Sequence, residues 1–85
     1  MKNTWIIKAT YFRDYQLELE FNDGSYGIVD LSNQLNKPIF QPLKNIDYFK
    51  NFKLNSWTIS WDNGADFAPE FLRELIEINV KQKDV

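Results

Sequence analysis

The fold is decided by residues 61–70, Trp-Asp-Asn-Gly-Ala-Asp-Phe-Ala-Pro-Glu, because a strand-like pattern ends there and a helical pattern begins. Asn63-Gly64 is typical of a tight turn. Asp66 is predicted to cap the helix by accepting N–H bonds from its first turn. Pro69 suits that first turn, where a missing N–H costs nothing. The sequence therefore predicts a structural strand-to-helix joint formed by Trp61, Asn63, Gly64, Asp66 and Pro69.

The residues after this joint have the periodicity of an amphipathic helix that runs from Pro69 to about Lys81. Its apolar stripe follows the i, i+3, i+4 spacing expected for a helix that packs on a core. The stripe consists of Phe71, Leu72, Leu75, Ile76 and Ile78.

Three strands are predicted before the joint, at residues 4–12, 16–22 and 26–30. The second is the clearest, because strict alternation turns Leu17, Leu19 and Phe21 inward and leaves Glu18 and Glu20 in water. Gly24 lies in the turn between the second and third strands, so an antiparallel meander is the simplest arrangement. The first strand is predicted to place one row of side chains on a single face: Trp5, Ile7, Ala9 and Tyr11.

The middle of the chain predicts short helical turns and one more strand. Leu31 and Leu35 indicate a short helix that ends before Pro38, and Asn45 is predicted to cap another at 46–51. Residues 57–61 predict a fourth strand with Trp57 and Trp61 on one face. The predicted fold is thus one α+β domain over residues 1–85. It has an antiparallel sheet of about four strands, a three-stranded meander plus the later strand, packed by the C-terminal helix.

Composition excludes several classes of chemistry. The 85 residues contain no cysteine and no histidine, which removes thiolate chemistry, the usual general base near neutral pH and the commonest transition-metal ligand. A net charge of −2 offers no cationic field for nucleic acid or anionic lipid. No apolar run is long enough to span a membrane. We expect a cytoplasmic protein that is not an enzyme and that uses no cofactor.

Two more specific functional hypotheses, a metal site and a nucleic-acid platform, are less favoured than purely structural roles for the same residues. Asp62, Asn63 and Asp66 could offer oxygen ligands to Mg²⁺ or Ca²⁺, and a metal-assisted hydrolase could add Glu70, but their spacing matches no loop motif. An aromatic platform for single-stranded nucleic acid lacks the interleaved cations that such platforms need. Its rings would come from Tyr11, Phe12, Tyr15, Trp57 and Trp61.

The spaced combination of several short motifs resembles the bacterial domain of unknown function 2442 family. These motifs are Asp14-Tyr15-Gln16-Leu17, Phe21-Asn22-Asp23-Gly24, Val29-Asp30-Leu31, Pro38-Ile39-Phe40, Pro42-Leu43, Phe49, residues 61–66 and Pro69-Glu70. The resemblance implies an α+β domain with an antiparallel sheet and a C-terminal helix. It also implies members that stand alone, precede a helix-turn-helix, or form toxin-antitoxin-like pairs. It supplies no catalytic or binding residues. Asp62 stands where the family pattern has proline.

The functional prediction is a binding or regulatory module that acts through protein–protein contact, as an antitoxin-like member of a pair or as a homo-oligomer. A nucleic-acid-associated module is the alternative, and a metal-assisted hydrolase comes last. The aromatic content of 16% exceeds what one sheet and one helix easily cover. The predicted contact residues are therefore apolar residues on the open sheet face, Phe12 and Tyr26.

Overall fold

The computed structural model describes the backbone of residues 3–83 and the side chains of residues 3–76. Two α-helices and five strands form in chain order, and two 3₁₀ segments lie at Ser32–Gln34 and Pro38–Lys44. The strands are β1 (Ile6–Arg13), β2 (Gln16–Phe21), β3 (Tyr26–Asp30), β4 (Lys53–Leu54) and β5 (Ile59–Ser60), and the α-helices are α1 (Ile46–Phe49) and α2 (Pro69–Lys83). The described helices include none long and apolar enough to cross a bilayer.

The N-terminal meander is confirmed. Strands β1, β2 and β3 form an antiparallel sheet in that spatial order, with Leu19 of β2 opposite Ala9 of β1 and Gly27 of β3. Gly24 turns the chain between β2 and β3 with a φ of 88°, a conformation that glycine adopts without strain. The inward row of β2 is fully buried, as alternation predicted.

For the first residues of β1, the prediction of which side chains point inward is wrong. Ile6 pairs with Phe21 and Lys8 with Glu20, so Ile7 is an extra residue in a β-bulge. A bulge reverses which side chains point inward. Ile6 is therefore buried and Ile7 is exposed, whereas Ala9 and Tyr11 still pack against the core.

The predicted fourth strand is confirmed in part, because a short strand forms within residues 57–61 but does not belong to the meander sheet. Asn55 Oδ1 accepts hydrogen bonds from the backbone N–H groups of Trp57 (2.7 Å) and Thr58 (2.8 Å), which turns the chain. Only Ile59 and Ser60 remain extended, and they pair with β4 in a separate two-stranded sheet. The Ile6 N–H donates to the Trp57 carbonyl (2.7 Å), so β1 lies beside this small sheet.

The predicted C-terminal helix is confirmed, and its start at Pro69 is correct. Leu72 and Ile76 of α2 are buried, and the helix packs on β3 at Gly27, where a Cβ would lie 2.8 Å from Ile76 Cγ2. Ile78 of the predicted stripe lies outside the described side chains. The core is one cluster: Ile6, Leu17, Leu19, Phe21, Val29, Leu31, Leu35, Leu43, Phe49, Ile59, Trp61, Ala65, Phe67, Leu72 and Ile76.

An ion pair ties α2 to the turn between β2 and β3, with Arg73 Nη2 2.8 Å from Asp23 Oδ2. Hydrogen bonds from the Ser25 hydroxyl and backbone N–H, together with the Arg73 guanidinium, lower the pKa of Asp23 from 3.8 to about 2. These contacts connect α2 to the turn at one end of the sheet.

The middle of the chain forms the predicted short helical turns. Asn45 caps α1, because its side-chain oxygen accepts from the N–H groups of Asp47 and Tyr48. Leu31 and Leu35 flank the first 3₁₀ segment and are buried. Residues 39–43, between the two, lie in the second 3₁₀ segment.

Candidate functional site

The sheet has one face that the described parts of the chain leave open. Gly27 faces α2, and side chains alternate along a strand, so Tyr26 on β3 points to the opposite side. Glu18 and Glu20 on β2 alternate with the buried leucines and share that side. We call this surface the outer sheet face and define it by Lys8, Thr10, Phe12, Glu18, Glu20, Tyr26 and Ile28.

Cross-strand pairing fixes the positions of these side chains. One row runs Lys8–Glu20–Tyr26, and the next runs Thr10–Glu18–Ile28. Phe12 lies further along β1, in a second irregularity between Tyr11 and Arg13. A hollow of about 110 Å³ lies between the rows, which is room for a few waters or one protruding side chain.

The two predicted contact residues both lie on the outer sheet face and are both exposed. The Tyr26 side chain is 66% accessible and Phe12 is 45% accessible. They sit at opposite ends of opposite edge strands and therefore mark a diagonal across the face. The Arg13 guanidinium carbon lies 5.1 Å from the centre of the Phe12 ring, a distance that permits a cation–π contact.

The most negatively charged part of the outer sheet face is its central strand, β2. Glu18 and Glu20 follow each other at i, i+2, so their carboxylates stand about 7 Å apart along β2. Lys8 is the cross-strand neighbour of Glu20, yet no ion pair within 4 Å joins them. Among the described side chains, neither glutamate has a cationic partner. The centre of the face is thus acidic, and its two aromatic rings flank that centre.

The strand-to-helix joint lies elsewhere and is built into the core. Trp61 Nε1 donates to the Phe49 carbonyl (2.9 Å), and Gly64 turns the chain with a φ of 90°. Asn63 makes three contacts: its side chain bonds the Ala65 N–H (3.1 Å) and the Ile39 carbonyl (2.8 Å), and its own N–H bonds the Tyr48 hydroxyl (3.1 Å). Asn63 therefore fastens the turn to two distant segments, which sequence spacing could not indicate.

The prediction that Asp66 caps α2 is wrong. The helix begins at Pro69, so Ala68 occupies the capping position and Asp66 lies two residues too early. The Asp66 backbone instead bridges to Ser60, which holds the joint against β5. In the part of the chain that the structure describes, the Asp66 carboxylate makes no hydrogen bond and is exposed.

We expect Asn63→Ala to destabilise the protein by about 1–2 kcal/mol, because it removes two side-chain hydrogen bonds. Asp66→Ala is the matched control, and we expect it to change the free energy of unfolding by less than about 0.5 kcal/mol. Urea unfolding followed by tryptophan fluorescence gives the free energy of unfolding of both variants. Equal losses in the two variants would contradict this account of the joint.

Two open grooves flank residues 66–68, and no pattern in the sequence predicts them. One, of about 460 Å³, lies beside a stack of three phenylalanine rings in which Phe40 and Phe67 are 4.6 Å apart at 4°. The other, of about 430 Å³, lies beside Trp57. Trp57 also meets Trp5 edge to face at 6.4 Å. Both grooves are lined by Asp66, Phe67 and Ala68, so both adjoin the joint.

The acidic residues weighed as metal ligands do not converge. Asp62 pairs with Lys53 at 3.0 Å, both on the surface, whereas Asp66 and Glu70 are near the grooves. Within the described residues, no three acidic side chains come close enough to hold a metal ion.

Comparison with known proteins gives a family and no activity. Neither the curated proteins nor the solved structures yielded a match. A family model described as "protein of unknown function (DUF2442)" matches residues 6–77, from the first residue of β1 into α2. The match includes the outer sheet face and the joint. The chain belongs to this DUF2442 family of proteins of unknown function.

Proposed function

We propose that this protein is a non-enzymatic binding or regulatory module that contacts another protein through its outer sheet face. The observation that carries the proposal is the exposure of two aromatic rings there, Tyr26 at 66% and Phe12 at 45%. The solvent-facing side of an antiparallel sheet is ordinarily polar. Large aromatic side chains supply a disproportionate share of binding energy once a partner desolvates them.

The charge of the face favours protein over nucleic acid as the partner. A nucleic-acid surface needs cations along the path of the phosphates. Here the central strand carries Glu18 and Glu20 instead, and Lys8 lies at the side. Elsewhere, Lys53 is engaged with Asp62, and Lys50 lies 5.5 Å from the Tyr11 ring centre. A regulatory role as the antitoxin-like member of a cytoplasmic pair is part of the proposal.

The test changes the two rings and keeps the strand propensity. We expect Phe12→Thr/Tyr26→Thr to retain the circular dichroism spectrum and the melting temperature within a few degrees, because threonine suits strands and both side chains are exposed. Affinity for the physiological partner should fall by about thirtyfold or more, the effect of losing an aromatic hot spot. The partner would be identified by placing a photo-crosslinking residue at position 26 in the native cells.

Leu54→Thr is the control, because Leu54 is also a strand residue with an exposed side chain (42%) but lies in the small second sheet. We expect this variant to bind as tightly as the unchanged protein. Full binding by the double variant, or crosslinking at position 54 rather than 26, would refute the proposal. So would a protein that stays monomeric and forms no crosslink at position 26.

A further inference from the structure

The dimensions of the outer sheet face suit one helix better than a whole domain. Three strands spaced about 4.8 Å apart make a surface about 10 Å between its outer strands and about 20 Å long. A helix with its side chains is about 10 Å wide. A stable contact between two domains buries about 800 Å² on each partner, which is more than this face offers. The opposite face of the same sheet is already packed by one helix, α2.

The two exposed rings set the path of such a helix. From Tyr26 to Phe12 the diagonal crosses two strand spacings and about four residues, or about 16 Å. A helix of about 11 residues, three turns, covers that distance. Apolar side chains at its two ends would meet the rings, and its middle turn would lie over Glu18 and Glu20.

Because the central strand is acidic, the middle turn of a helix that binds there should be positively charged. Two carboxylates about 7 Å apart match cationic side chains on successive turns of a helix, whose Cβ atoms lie about 5–6 Å apart at i, i+3 or i, i+4. Neither glutamate has a cationic partner among the described side chains, so a cation on the partner does not have to displace one. Charge pairing of this kind selects the partner and its register.

A second copy of this chain does not supply such a helix. Its long helix, α2, exposes Glu70 and Glu74, which would meet Glu18 and Glu20 with like charge. The net charge of the chain is −2, so association between copies also works against overall repulsion.

Resting on the proposed function, the geometry points to a basic amphipathic helix of a partner protein as the ligand of the outer sheet face. The helix lies diagonally from Tyr26 to Phe12 and places lysine or arginine side chains between Glu18 and Glu20. The bound complex has three layers, with α2 on one side of the sheet and the partner helix on the other.

The probe is a 15-residue helical peptide, labelled with a fluorophore, that carries leucines on one stripe and lysines beside it. A matched peptide has glutamate at every lysine position. Anisotropy titrations at low and moderate salt should show the lysine peptide binding about tenfold or more tighter. Amide chemical shifts should move on β1, β2 and β3 and stay unchanged in residues 33–41.

The decisive comparison uses two variants with the same change in net charge. Glu18→Gln/Glu20→Gln should remove the preference for the lysine peptide, whereas Glu70→Gln/Glu74→Gln should keep it. Equal effects of the two variants would reveal general electrostatic attraction and overturn the inference.

The physiological partner separates failure of this inference from failure of the proposed function. If Phe12→Thr/Tyr26→Thr abolishes partner binding but Glu18→Gln/Glu20→Gln does not, the face binds a partner that is not a basic helix. If neither double variant affects binding, the proposed function fails as well.

Discussion

Trp61→Ala is expected to destabilise the protein by about 3–5 kcal/mol, the range for removing a large aromatic side chain from a core. Trp61 is 3% exposed and contacts the rings of Phe49, Phe52 and Phe67. The indole N–H of Trp61 also donates a hydrogen bond to the Phe49 carbonyl. In the variant this buried carbonyl loses its hydrogen-bond donor. Since small domains are stable by only about 5–15 kcal/mol, a loss of about 3–5 kcal/mol removes about a fifth or more of that stability.

Trp57→Ala is the matched control, because the same residue type stands four positions earlier with 56% of its surface exposed. We expect it to cost less than about 1 kcal/mol, chiefly through its edge-to-face contact with Trp5. Urea unfolding followed by far-ultraviolet circular dichroism compares the two without relying on tryptophan fluorescence. A loss at Trp57 as large as that at Trp61 would contradict the exposed position of Trp57 in the turn at residues 55–58.

The contrast between these two tryptophans shows where sequence periodicity fails. Alternation placed both on one face of a single strand, and it was correct for Trp61. The Asn55 side chain turns the backbone at Trp57 and Thr58, and a period-2 pattern contains no information about that hydrogen bond. The bulge at Ile7 is a similar case, because the extra residue is defined only by its pairing with β2.

Elements stabilised by local interactions were predictable. The alternation of β2 matches the buried face, Asn45 caps α1, and Pro69 begins α2. In each case the residues that decide the structure are close in sequence. Asn63 marks the limit, since its turn was predicted but its bonds to Ile39 and Tyr48 span 24 and 15 residues.

The candidate site was predictable in composition but not in arrangement. Surplus aromatic content indicated Phe12 and Tyr26, and alternation turned Glu18 and Glu20 toward water. Their assembly into one acidic face with a ring at each end depends on strand order and register. For Asp66 the residue type suits a helix cap, but its position does not, because it lies two residues before the capping position of α2.

Gly27→Ala is expected to destabilise the protein by about 1–3 kcal/mol, the usual cost of overpacking a core. The added methyl group would lie 2.8 Å from Ile76 Cγ2. That atom sits on a β-branched side chain in a helix, where one χ1 rotamer dominates, so α2 itself must shift. Replacing glycine gains about 0.4–1 kcal/mol by restricting the unfolded chain, which does not offset the clash.

A double-mutant cycle identifies the cause of that loss. Ile76→Ala alone should cost about 2–5 kcal/mol, because it opens a cavity at a buried position. It also removes Cγ2, so adding Gly27→Ala in that background should cost nothing or restore about 0.5 kcal/mol, through the unfolded chain and partial filling of the cavity. Denaturant unfolding of the four proteins gives the coupling energy. Strictly additive losses would mean that α2 does not press on β3 at Gly27, and the packing of the helix against the inner face would need another explanation.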